Sequence, residues 1–147
     1  MVRKNLISII VINLIIFMTG CIFYYNSFHN TANEKKLAML TPVVRIVDSA
    51  KFSILPTLFS NTLQFNITIE TYENADLLNL NLVDFSIIKC DQTILQNIQW
   101  NIKFSSDHKI SGNLTADFVH SDYIQHCFPI HLDLFLNETT SFTWNSI

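Results

Sequence analysis

The densest run of reactive side chains is His120, Asp122, His126, Cys127, His131 and Asp133. Imidazole, thiolate and carboxylate are the ligands that zinc or copper takes, and three of these histidines fall within twelve residues. The chemistry they predict is a metal site on the segment leading into a strand that begins at Ile130. A plainer assignment competes. His131 and Asp133 alternate with Ile130, Leu132 and Leu134, as on a solvated strand face, and His120 and His126 fall in the turn before it. No spacing here matches a closed metal motif. His120, His126, His131 and Asp133 therefore stand as candidates and no metal ligand is assigned.

Other chemistry is thinner. No serine sits in a nucleophile-elbow pattern and no helical His/Glu motif occurs, so no catalytic residue and no cofactor is assigned. Glu70, Glu73, Asp76 and Asp84 are scattered around strand ends and read as turn or surface residues. Gly20 and Gly112 are the two glycines, too few and too far apart for a phosphate-cradling loop or a dinucleotide fingerprint. The net charge of −3 becomes −5 without Arg3 and Lys4, which argues against a nucleic-acid partner.

Of the 147 residues, 49% are apolar, and the excess sits in Met1 to Tyr25, where 18 residues are apolar. Arg3 and Lys4 precede an apolar run, which predicts export of the rest of the chain. The run ends in Met18-Thr19-Gly20-Cys21, which resembles the lipobox of bacterial lipoproteins. The resemblance implies acylation of Cys21, removal of residues 1–20, and a domain held at the cell membrane or outer membrane facing the periplasm or exterior. Met18 stands where a branched aliphatic is usual, and Ile22-Phe23-Tyr24-Tyr25 where a polar tether is usual. An uncleaved anchor over residues 6–25 and an ordinary cleaved signal therefore remain alternatives.

With Cys21 in the leader, Cys90 and Cys127 form an even pair in an exported domain, most simply one disulfide. Closing a loop of about 38 residues contributes about 4 kcal/mol in the chain-entropy model. Free buried thiols, or a pair that binds metal or cycles redox state, are the alternatives, although there is no Cys-x-x-Cys.

Residues 21–41 read as a lipidated cysteine and polar tether with room for a short helix, and residues 42–147 as one domain. The dominant period in the domain is two. Leu63, Phe65, Ile67 and Ile69 alternate with polar residues, as do Ile98, Trp100, Ile102 and Phe104, and Ile130, Leu132, Leu134 and Leu136. Weaker strands are expected over 43–47, 51–55, 78–88, 110–118 and 142–144. In 78–88 the apolar phase slips from Leu78, Leu80 and Leu82 to Val83, Phe85 and Ile87, which predicts a bulge or strand switch near Leu82.

One register follows from pattern alone. If 98–104 and 110–118 form a hairpin with both apolar sets on one face, Phe104 opposes Ile110, Ile102 opposes Gly112, Trp100 opposes Leu114 and Ile98 opposes Ala116. Parity then demands an odd loop, Ser106-Asp107-His108 or five residues. Gly112 acquires a packing role beneath Trp100 or Ile102.

The expectation is all-β: an antiparallel, immunoglobulin-like β-sandwich of about seven strands following an N-terminal hydrophobic signal or anchor helix, with a small barrel as the alternative. The run from Asn61 to Glu70, the turn at Glu73-Asn74-Ala75-Asp76 and the stretch 78–88 resemble the opening of the water-stress, late-embryogenesis-abundant type of β-sandwich. The expected function is a non-enzymatic envelope lipoprotein that is structural or binds an envelope protein, with the membrane as its other partner. The alternative is a small-ligand, zinc or copper carrier using residues 120–133.

Overall fold

The computed structural model describes residues 35–118 and 127–146. The leader, Cys21, His120, Asp122 and His126 lie outside the described residues. Among those described are ten strands, β1 Lys36–Met39, β2 Val43–Val47, β3 Ala50–Phe59, β4 Thr62–Thr71, β5 Ser86–Cys90, β6 Thr93–Ile94, β7 Gln96–Ser106, β8 Lys109–Asp117, β9 Ile130–Phe135 and β10 Thr139–Trp144. They form two antiparallel sheets, consistent with a sandwich. One runs β1-β3-β4-β8-β7, with β2 beside β1 along the free edge of β3, and the other runs β10-β9-β5-β6. Among the described residues no helix is long and apolar enough to cross a membrane.

Period-two alternation builds the core. Leu63, Phe65, Ile67 and Ile69 of β4 are buried, and so are Ile130, Leu132 and Leu134 of β9. The sheets meet through aromatic contacts: Phe52 lies 6.5 Å from Phe142 and Phe65 5.6 Å from Trp144, centroid to centroid. The outer edge of β10 is fastened rather than left open. Arg45 Nη1 donates to the Ser141 carbonyl (2.8 Å), the guanidinium lies 5.3 Å from the Phe142 ring centre, and Trp144 Nε1 donates to the Thr41 carbonyl (2.8 Å). An edge carbonyl is thereby satisfied within the fold.

The expected hairpin forms, and its central register is the one pattern dictates: Trp100 opposes Leu114, Asn101 opposes Asn113 and Ile102 opposes Gly112. The tip departs from expectation. Phe104 opposes Ser111 and Ser106 opposes Lys109, so the loop is the even pair Asp107-His108. The extra residue is absorbed between Ile102 and Phe104, a β-bulge that the parity argument omitted. It turns Phe104 onto the outer face. A second irregularity, where Asn97 has φ 52°, separates the Gln96 and Gln99 pairings. β7 is also an edge strand, so Ile98 and Trp100 are only half-buried and Ile102 and Phe104 are each 51% exposed.

Residues 78–88 are not one strand. Ala75–Asn79 is a 3₁₀ helix, a turn follows, and β5 begins only at Ser86. The apolar phase does not slip to odd positions: Leu78, Leu82 and Ile88 are buried, whereas Val83, Phe85 and Ile87 are partly exposed. A turn at Asn81 resets the chain instead, with Asp84 N–H donating to the Asn81 carbonyl (3.0 Å). At the N-terminal side, Lys36–Met39 pairs with Thr57–Phe59, so the last part of the expected tether is a strand of the sheet.

Candidate functional site

His131 and Asp133 lie on β9 in the alternate positions to buried Ile130, Leu132 and Leu134, and so face outward. Their cross-strand neighbours on β5 and β10 are Lys89 and Thr143 for His131, and Ile87 and Ser141 for Asp133. A polar network results. Lys89 Nζ reaches Asp133 Oδ2 at 2.9 Å, Ser141 Oγ donates to Asp133 Oδ1 at 2.6 Å, and His131 Nδ1 lies 3.0 Å from Thr143 Oγ1. Partial burial raises the Asp133 pKa. The Ser141 and Lys89 hydrogen bonds, with the charges of Lys89 and His131, outweigh this and hold the carboxyl below its ordinary value. The Asp133 carboxylate is committed to Lys89 and Ser141.

Cys90, at the end of β5, and Cys127 form a disulfide pair with Cα atoms 4.4 Å apart. Among the described residues no group of three His, Cys, Asp or Glu side chains is arranged to hold a metal ion. The six-residue metal candidate is thus divided: His120, Asp122 and His126 are outside the described residues, Cys127 meets Cys90, and His131 and Asp133 join a cross-strand network.

One cleft among the described residues lies between the strand connections. Antiparallel registers bring four connections to one end of the sandwich: residues 48–49, 72–85, 107–108 and 136–138. The longest, 72–85, is fixed at both ends. The buried Thr71 hydroxyl oxygen accepts from the N–H groups of Glu73 (3.3 Å) and Asn74 (3.1 Å), and Thr71 N–H donates to the His108 carbonyl (2.9 Å). At the far end the Phe135 N–H donates to the Phe85 carbonyl at 2.8 Å. Between these ties lies a cleft of about 390 Å³, lined by Asn74, Asp76, Leu77, Leu80, Phe85, Phe135, Leu136 and Asn137. Five of these residues are apolar, and Phe135 is 40% exposed. The volume falls within the range of small-molecule and side-chain pockets, roughly 300 to 1,000 Å³.

Asp76 was expected at a turn and proves to line this cleft; Glu73 and Asp84 lie in the same connection. Glu70 instead faces outward on β4 and binds Lys109 (2.8 Å) and Lys51 (3.5 Å). The Lys109 hydrogen bond and charge, joined by Lys51, overcome a smaller burial effect and lower its pKa. Leu80, Phe85 and Leu136 gave no local sign of a pocket, because their spacing is also that of a strand. The one sequence clue is that Leu136 continues the β9 alternation past the end of the strand. Comparison with protein families, characterised proteins and solved structures finds no match.

Proposed function

We propose that the chain is a membrane-tethered, extracytoplasmic lipoprotein whose immunoglobulin-like domain is non-enzymatic and docks onto another protein of the cell envelope through its loop end. The apolar cleft among the connections carries this reading. Strand order supports the immunoglobulin-like assignment. β3-β4-β8-β7 follows the A-B-E-D order, and β10-β9-β5 follows G-F-C, with β6 added beyond C and β1 and β2 beyond A. In that scheme residues 72–85 are the B–C connection and 136–138 the F–G connection, two of the loops that sandwiches of this kind use for recognition. The Met18-Thr19-Gly20-Cys21 sequence supports acylation at Cys21. No catalytic role is assigned to His131 or Asp133, whose side chains are engaged with Thr143, and with Lys89 and Ser141.

Photocrosslinking in intact envelopes tests the docking role. A benzophenone side chain at position 135 is expected to give a discrete adduct with one envelope protein, while the same group at position 101, on β7, gives none. Adducts of equal yield and variety from both positions, or none from either, would overturn the proposal.

A further inference from the structure

We propose that the segment received by this cleft is basic: an aliphatic or aromatic side chain enters between Leu77, Leu80, Phe85, Phe135 and Leu136 while adjacent lysines or arginines meet carboxylates around it. The inference rests on the docking role above and names the chemistry of the partner. The four connections at this end contain Asp48, Glu73, Asp76, Asp84, Asp107 and Glu138, and not one lysine or arginine. That is half of the chain's 12 acidic residues.

The two lysines adjoining these connections, Lys51 after 48–49 and Lys109 after 107–108, share the single carboxylate of Glu70, which leaves one net positive charge against these six carboxylates. His108 stacks on Tyr72 with ring centres 4.7 Å apart. Asp84 accepts a hydrogen bond from the neutral Asn81 amide (2.9 Å), and among the described residues no ion pair involves it. Among the described residues no ion pair involves Asp76, which lines the cleft itself. An apolar partner alone would gain contact area but nothing from this field, and an acidic one would be repelled by it. Like-charged exposed groups act together to steer a cationic partner and to reject anionic ones, with a dependence on salt. The apolar floor supplies the contact that charge steering alone does not.

Fluorescently labelled, end-blocked pentapeptides added to the purified full-length protein in detergent provide the test, read by anisotropy. The peptide Lys-Lys-Trp-Lys-Lys is expected to bind saturably, several-fold more weakly at high salt and several-fold more weakly to the Asp76→Asn/Glu138→Gln protein. Lys-Lys-Ser-Lys-Lys is expected not to saturate, and Phe135→Ser, at an exposed position, to abolish binding of the tryptophan peptide. If Glu-Glu-Trp-Glu-Glu binds as tightly and still depends on Phe135, the basic preference is overturned and docking at the cleft stands. If no tryptophan peptide binds saturably, both are overturned.

Discussion

Gly112 illustrates how one missing side chain sets a register. A Cβ built there would lie 2.7 Å from Trp100 Cη2 and would also collide with the Asn101 carbonyl oxygen. Gly112→Ala should therefore cost about 1–3 kcal/mol, the usual range for overpacking, measured by urea unfolding. Trp100→Ala in that background should recover only part, because the backbone collision remains. Asp133 gives a prediction in pH. Its folded pKa is lowered, so its carboxylate stabilises the fold above the unfolded value of about 4, and that stability is lost as pH falls through the lower folded value. Thermal melts of Asp133→Asn and wild type should converge towards acid pH and diverge above it. The outward placement of His131 and Asp133 was legible from alternation, since Ile130, Leu132 and Leu134 claim the inward positions. Their partners were not, because Lys89 and Ser141 come from other strands, which register alone brings alongside.

Elements were legible where one face is buried and the other wet. β4 alternates without interruption and lies between two strands, so tertiary packing and local pattern agree. Residues 78–88 misled because their leucines serve a 3₁₀ helix and a turn, where burial follows the path of the chain rather than a pleat. Leu82 is fully buried while Val83 is half-buried. Leu82→Ala should accordingly cost about 2–5 kcal/mol. Val83→Ala should cost about 1 kcal/mol or less, for want of the same buried volume. Equal losses in urea unfolding would restore the slipped phase. The β7–β8 hairpin shows a different limit. Parity is a sound constraint on two unbroken strands, and a single bulge before Phe104 releases it, with little local sequence sign because β7 is an edge and tolerates either face outward.

At the scale of the whole molecule, two sheets sharing one core were legible from the spacing of short alternating segments. The acidic end with its apolar cleft was not. Its residues come from four separate connections, and only the strand order gathers them. The disulfide pair ties β5 to the chain leading into β9, across a sequence separation of 37 residues. Reduction should lower stability by about 4 kcal/mol if the loop-closure account holds. An exported domain would keep that bond, and an acylated Cys21 would keep the domain at a membrane. The intact mass of the protein, extracted from membranes without reductant after alkylation by N-ethylmaleimide, tests both at once. The account predicts a chain beginning at Cys21, heavier by its lipid, with no alkylation of Cys90 or Cys127. An unacylated chain that retains residues 1–20 and carries two alkyl groups on those cysteines would contradict it.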